Sequence, residues 1–370
     1  MRKAHARGFL ALLASLIATG AQAQGYVFLQ KCADGFLGLE LAGEYCTRAI
    51  KSGELSAESL AVAHYNRGAA LSRRRAFDPA IADFDESIRL NAKPAAYVAR
   101  GALKVVKRNT DGAIADFGEA LRLDPSLAEA YLYRGQGWVR KGEPQRAIDD
   151  FTQALKLEPV GPIIQGGSIM MYTSRPRPRD RAAHDAGAHF GRGLAQSMKL
   201  EHEGAIADFN RALQLAPSAD ALKLRGLARF YRAEFTLAAA DLAGTLRVNP
   251  RDTESALWLF LARSRAADAT DPREELAAHA QLLPEGGWPR LIAALFLDKA
   301  TPQQVFSAVP EKGGTRQALR CQASFFVGQW RLVKNQRPQA ETLLRRAQER
   351  CPSYFPEYVG AAAELARLAN

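Results

Sequence analysis

Apolar side chains recur every three or four residues along this chain, in blocks of about 34 residues that copy one another. The fullest block runs from Pro94 to Leu127. Tyr97, Val98 and Gly101 mark its first half; Ala113, Ile114, Phe117 and Ala120 mark its second, with Asp124 and Pro125 after them. Such spacing predicts two amphipathic helices per block, because strands would alternate every second residue. The string returns at Tyr131, Gly135, Ala147, Ile148, Phe151, Ala154 and Pro159. It returns again at Gly193, Ala205, Ile206, Phe209, Ala212 and Pro217. Counted from each glycine, the first alanine lies 12 residues on, the aromatic 16 and the proline 24.

A period of about 34 residues with that frame is the signature of tetratricopeptide (TPR) helical hairpins. The predicted fold is therefore all-α: a TPR helical-hairpin solenoid, a right-handed superhelix with capping helices. The glycine and alanine are expected to face each other across a hairpin, and the aromatic to fill the space towards the next one. The proline ends the second helix because it cannot donate into a continuing one. The frame divides the chain into a cap over 24–60, repeats 1–3 over 61–160, an insertion over 161–185 and repeats 4–5 over 186–252. A degenerate helical segment covers 253–318. A TPR-like repeat (Gly328, Ala340, Leu344, Ala347, Pro352) and a capping helix cover 319–370.

A second regularity accompanies the first. Each of the five repeats has an Arg just before its Gly and an Asp 16 residues after that Arg: Arg67/Asp83, Arg100/Asp116, Arg134/Asp150, Arg192/Asp208 and Arg225/Asp241. Identical spacing predicts a structural salt bridge, within a repeat or between neighbours. As exposed pairs these would contribute only about 0–1 kcal/mol each. The alternative is an arginine ladder for an anionic ligand, which needs the aspartates to point elsewhere.

The first residues read differently. Arg2, Lys3 and Arg7 precede the apolar run Phe9–Ala18, and Ala21-Gln22-Ala23 forms a small-residue cleavage site. This predicts a signal peptide over 1–23 and a periplasmic or secreted protein. Cys32, the first cysteine, follows Leu29-Gln30-Lys31 rather than a small residue, so no lipid anchor is expected, and no later stretch is long and apolar enough to span a bilayer. Hydrophobic residues make up 47% of the chain, which excludes a disordered one. The net charge of +11 loses the three cations Arg2, Lys3 and Arg7 on cleavage and becomes +8. On an exported protein that surplus points away from nucleic acid, towards acidic partners or an anionic surface. Four cysteines in an oxidising compartment predict two disulfides, Cys32 with Cys46 and Cys321 with Cys351.

No nucleophile elbow, zincin, P-loop or dinucleotide fingerprint is present, so the chain reads as a non-enzyme without cofactor. His184, Asp185, His189 and His202 form a loose cluster, but His184 and His189 are five apart, off the spacing that puts two ligands on one helical face. No metal site is expected.

Function is expected on the inner groove, lined by positions 2, 5, 9 and 12 of each first helix. The candidate partner-binding residues are Val62 and Tyr65 in repeat one, Val98 and Val105 in repeat two, and Leu132, Gln136 and Val139 in repeat three. Phe190, Leu194 and Met198 follow in repeat four, and Phe230 in repeat five. This apolar set suits a helix or extended peptide from a protein partner. Two other readings stay open: the chain's own insertion or last helix fills the groove, or the protein binds cell wall or anionic lipid. The latter would use Arg175, Arg177, Arg179 and Arg181 of the insertion together with Arg73-Arg74-Arg75.

The tail adds a resemblance. Trp288-Pro289, Leu295-Phe296-Leu297, Cys321-Gln322-Ala323-Ser324-Phe325-Phe326-Val327-Gly328, Cys351-Pro352, Glu357-Tyr358 and Glu364-Leu365, after a TPR array and a signal peptide, resemble exported bacterial TPR proteins of the NlpI-like kind. The resemblance implies a non-catalytic adaptor for envelope proteases or cell-wall enzymes in the periplasm, often as a dimer. This chain differs in lacking the lipid-bearing cysteine and in carrying the Arg/Pro insertion.

Overall fold

Six of the hairpins turn at the same place. Seven residues after the frame glycine the backbone enters the left-handed region, at Arg75, Arg108, Gly142, Leu200, Ala233 and Asn335, with φ between 57° and 74°. The next amide then reaches back over the turn: Ala76 N–H donates to Leu71 O (3.0 Å), Asn109 to Lys104 (2.8 Å), Glu201 to Gln196 (2.9 Å) and Glu234 to Arg229 (2.9 Å). This is the Schellman closure of a helix C-terminus. It is built mostly on residues other than glycine, each of which accepts roughly 1 kcal/mol of backbone strain. Side-chain caps start several helices, among them Ser56, Asn109, Ser218, Asp252 and the Thr301/Gln304 capping box.

The computed structural model describes residues 24–33, 39–159, 163–165, 168–170, 178–266, 271–352 and 355–369. The expected signal peptide over 1–23 lies outside them. The chain divides into two compact units, residues 1–141 with 153–181 and residues 142–152 with 182–370.

In the first unit, α1 (24–33) is tied by the Cys32–Cys46 disulfide (Cα–Cα 4.8 Å) to α2 (Leu39–Lys51). Then come α3 (Ala57–Arg73) with α4 (Phe77–Leu90), α5 (Pro94–Val106) with α6 (Thr110–Leu123), and α7 (Ala128–Lys141). The insertion contributes a two-stranded antiparallel hairpin, β1 (Ile163–Gln165) and β2 (Ser168–Met170), with Ile163 opposite Met170 and Gln165 opposite Ser168. Two short segments carrying Ile163-Ile164 and Ile169-Met170 flank Gly166-Gly167, which is a hairpin signal in the sequence.

In the second unit, α10 (His202–Leu215) follows α9 (Pro178–Met198), which, like α8 (Pro144–Lys156), the unit boundary crosses. After them come α11 (Ala219–Tyr231) with α12 (Phe235–Val248) and α13 (Thr253–Arg263) with α14 (Arg273–Gln281). Then follow α15 (Trp288–Phe296), α16 (Pro302–Ser307), α17 (Arg316–Val333) with α18 (Arg337–Arg350), and α19 (Pro356–Ala369). The Cys321–Cys351 disulfide (Cα–Cα 5.0 Å) closes the α17–α18 hairpin. The fold is thus an all-α stack of helical hairpins with capping helices, of the TPR type.

The frame residues pack differently from the Gly–Ala facing expected from sequence. A Cβ placed on Gly68, Gly101 or Gly193 would meet the ring of Phe84, Phe117 or Phe209 at 2.9 Å; on Gly226 it would meet Leu242 at 3.0 Å. The residue 16 positions on therefore lies against the glycine, while the alanine's carbonyl sits just behind, 3.2 Å from such a Cβ at Gly193. The aromatic also faces the next repeat: Phe84 shares its cluster with Ala96, Ala99 and Leu103. Each of these rings is fully buried, which stabilises the fold by roughly 2–3 kcal/mol.

The pairs Arg67/Asp83, Arg100/Asp116, Arg192/Asp208 and Arg225/Asp241 form inside their repeats, with the aspartates buried rather than exposed. Arg67, Arg100, Arg192 and Arg225 each donate from Nε and Nη2 to both carboxylate oxygens of Asp83, Asp116, Asp208 and Asp241, at 2.6–3.0 Å. Arg134 and Asp150 fall in different units. The remaining nitrogen, Nη1, reaches into the preceding hairpin: Arg100 to Asp85 (2.6 Å), Arg192 to Thr152 (3.2 Å) and Arg225 to Asn210 (2.7 Å). A second nitrogen-bearing side chain completes each carboxylate: His64 on Asp83 (2.8 Å), Lys104 on Asp116 (2.8 Å), His189 on Asp208 (2.7 Å) and Arg229 on Asp241 (2.7 Å). These four aspartates point at their arginines, so the four do not form an anion ladder. Burial alone would raise the Asp208 pKa, but its bonds to Arg192 and His189 outweigh that and hold it below the usual carboxylate range.

Asp208→Ala would strand Arg192 and His189 in a half-buried site. We expect a loss of about 3–5 kcal/mol in chemical denaturation. Because the Asp208 pKa is depressed, its stabilisation is present above the ordinary carboxylate range and is lost as pH falls through the lowered value. The gap between wild type and variant should therefore shrink in acid.

Candidate protein-binding face

The predicted groove residues do not form one open surface. Val98 is 1% exposed, packed with Phe117, Ala120 and Ala130; Phe230 is 0% exposed, 5.0 Å from Trp258 between ring centroids. Tyr65 and Leu132 are buried as well. Position 5 lies three residues before the frame glycine, only about 60° around the helix from it. It therefore turns towards the second helix, as Tyr65 does against Phe84 (5.5 Å) and Phe190 against Phe209 (6.0 Å). Phe230, four residues after Gly226, shares that face. These four side chains are core. Val105, Val139, Phe190, Leu194 and Met198 are half-buried, and Gln136 is exposed.

Val62 is 43% exposed and marks the opening of an apolar depression of about 210 Å³. Ala61, Val62, Tyr65, Ala95 and Ala96 line it, and Glu58, Asn66, Asn91 and Lys93 stand at its rim. Elsewhere in the first unit β2 lies against α3, so part of the insertion rests on the first helix of repeat one.

The first helix of repeat five is covered by the chain itself. α19 packs on α11, α17 and α18. A Cβ on Gly360 would stand 2.7 Å from Trp258 and 2.9 Å from Phe325, so α19 sits against an aromatic floor. Polar contacts fix its two ends. Tyr231 Oη donates to Pro356 O (3.1 Å), and Arg367 donates to Tyr231 O (2.8 Å). Between them Glu364, 3% exposed, accepts from Arg265, Arg367 and Gln329. Burial raises its pKa, yet Arg265 and Arg367 overcome that and hold it below the ordinary value. Glu357, 1% exposed on the first turn of α19, has no such cation in contact. It accepts from Gln322 Nε2 (3.0 Å), and burial, with Glu254 nearby, pushes its pKa up to about 7 against the opposing pull of its own backbone amide, Gln322 and Lys223. Lys223 itself pairs with Glu254 (2.5 Å) and Asp252 (3.3 Å).

The remaining sequence candidates are dispersed. Arg175 and Arg177 lie outside the described residues; Arg179 starts α9, and Arg181 pairs with Glu158 (3.0 Å). Of the histidine cluster, His184 bonds Asp185, His189 joins the Asp208 clamp, and His202 packs at a tilt on Tyr231 (5.1 Å), where burial pushes its pKa down to about 4. Among the described residues no group of three His, Cys, Asp or Glu side chains could hold a metal ion, and no helix is long and apolar enough to cross a membrane.

The tetratricopeptide repeat family matches residues 128–159, and the chain is a TPR-repeat protein of the all-α solenoid class. Among solved structures it is similar to YrrB, a TPR protein with an unusual peptide-binding site (21% identity, 58% of this chain and 97% of that one, TM-score 0.46). It is also similar to PilW, a type IV pilus biogenesis factor (17% identity, 59% and 93% covered, TM-score 0.46). A tetratricopeptide repeat protein from Parabacteroides merdae covers more of the chain (14% identity, 95% and 99%, TM-score 0.43).

Glu357 gives α19 a pH dependence. Its pKa is about 7 when docked and ordinarily 4.5, so its contribution is complete below pH 4.5 and is lost as pH rises through about 7. We expect amide exchange in α19 to speed up between pH 5 and pH 8 in wild type beyond the intrinsic rate change. The Glu357→Gln variant, which keeps the Gln322 contact, should show no such excess, worth roughly 3 kcal/mol in wild type.

Proposed function

We propose that this chain is an exported, non-catalytic adaptor that holds an apolar segment of a partner protein on its TPR surface. TPR folds serve in general as protein-interaction scaffolds. The observation that carries the reading here is the depression around Val62: an exposed apolar residue over a cavity sized for a partner's side chain, with a polar rim to orient the incoming chain. The docking of α19 on α11 supports it, since a first helix of the array there accepts an amphipathic helix through an aromatic floor and polar ends. The leader pattern over 1–23 and the two disulfides support an encounter in the periplasm or outside the cell. Envelope proteases and cell-wall enzymes are the partner classes proposed, and a homodimer is the proposed assembly.

Charged substitution at the mouth of the depression is the direct test, because Val62 is exposed and Ala95 half-buried. The Val62→Glu/Ala95→Glu variant should keep its helical circular dichroism and thermal midpoint. In-cell photocrosslinking from position 66 should lose most of its partner adducts. An unchanged crosslinking pattern would remove the depression as the binding site.

A further inference from the structure

The arginine clamps differ at one end of the array, and the difference leaves a place for a ligand. In repeats two, four and five the clamp arginine spends its third nitrogen on a side-chain oxygen 15 positions back in the uninterrupted frame, from Asp85, Thr152 or Asn210. Repeat one is preceded by α1 and α2 of the cap. The corresponding residue is Ser52, whose hydroxyl donates to Ala49 O (2.7 Å) and accepts from Glu54 N (3.4 Å). Arg67 bonds Asp83 through Nε and Nη2 only. It also lines a cleft of about 660 Å³ between α2 and α3, together with Thr47, Arg48, Lys51 and Arg74 and a single carboxylate, Glu44. Arg48 is held over the ring of Tyr45, 5.7 Å from its centroid.

We propose that this cleft binds a multiply charged phosphate group. A phosphate oxygen takes the place on Arg67 Nη1 that Asp85 takes on Arg100, and Arg48 and Lys51 neutralise the remaining charge. A single carboxylate would leave most of these cations unmatched, whereas guanidinium forks meet phosphate oxygens in pairs. Bound there, the phosphate completes the first clamp and ties α2 to repeat one, as Asp85 ties repeat one to repeat two. The site is separate from the apolar depression, whose lining shares no residue with it.

Titration calorimetry of the intact protein with pyrophosphate, between about 20 and 200 mM salt, tests the site. Binding is expected to weaken with salt and to fall about tenfold or more in Arg48→Ala/Lys51→Ala, both of which are exposed and leave the clamp intact. Lys299→Ala/Arg346→Ala, an exposed pair in the other unit, should change nothing. Co-sedimentation with phosphatidylglycerol vesicles separates the two sources of phosphate: loss in the same double variant there identifies a lipid headgroup, and loss with pyrophosphate alone a soluble phosphate. The proposal is overturned if neither probe binds at low salt. It is equally overturned if Arg48→Ala/Lys51→Ala binds as wild type does, or if both double variants lose binding alike.

Discussion

A buried carboxylate that must be paired governs this structure. Asp83, Asp116, Asp208 and Asp241 are each enclosed between two helices, where an unpaired charge would cost several kcal/mol. Each is met by an arginine on the facing helix through a two-point fork, so the helices can pack in only one register. In Arg100, Arg192 and Arg225 the third guanidinium nitrogen then carries that register to the hairpin before. Net stability is the lesser part of what such pairs contribute, since apolar residues of similar size often do as well. Their larger effect is to make wrong registers expensive. In a repeat array, where a hairpin meets only its neighbours, that matters more than in a single globular core.

Because the clamp and the glycine–aromatic contact occupy the face between paired helices, the positions nearest the glycine are drawn into the core. Tyr65, Val98 and Phe230 go with them, and the surface left for partners is narrower than a helical wheel suggests. Where a first helix of the second unit would otherwise expose an aromatic floor, the chain supplies α19. Its seat combines Trp258 and Phe325 with the Arg265–Glu364–Arg367 cluster, in which both arginines meet one buried carboxylate. Glu357, accepting a bond from Gln322 with its charge unmatched, is the weak point of that seat.

Much of the scaffold was legible because it is written as spacing. The glycine, alanine and aromatic recur at fixed intervals, and so do Arg and Asp; Cys321 and Cys351 fall at the two ends of one hairpin. What stayed hidden depends on three dimensions or on only a few repeats. His64 and His189 join the clamp in two repeats of five, too rarely to register as a pattern. The left-handed turn is occupied by Arg75, Leu200 and Ala233, none of which announces a positive φ as glycine does. That position 5 is core and position 2 open in repeat one follows from how closely two helices approach, which the period alone does not give. The seating of α19 pairs residues more than a hundred positions apart, such as Tyr231 with Pro356.

The last hairpin shows what the clamp is for by lacking it. In α17 the residue before the frame glycine is Val327, and 16 positions on in α18 stands Leu343; both are apolar and pack into the large core of the second unit. Leu344 lies 3.2 Å from where a Cβ on Gly328 would be, so the glycine contact survives while the ion pair does not. An apolar pair fills the space but does not dictate register, because it can slide without stranding a charge. Unlike the clamped repeats, this hairpin carries a covalent link, Cys321 to Cys351, and closing a loop of 30 residues in this way is worth about 3–4 kcal/mol. The disulfide fixes the register that the ion pair fixes elsewhere. With that core side freed of the clamp, the neighbouring Gln329 is available to hold Glu364 of α19. Exchanging one constraint for the other thus lets the final repeat serve both as a hairpin of the array and as part of the seat for the capping helix.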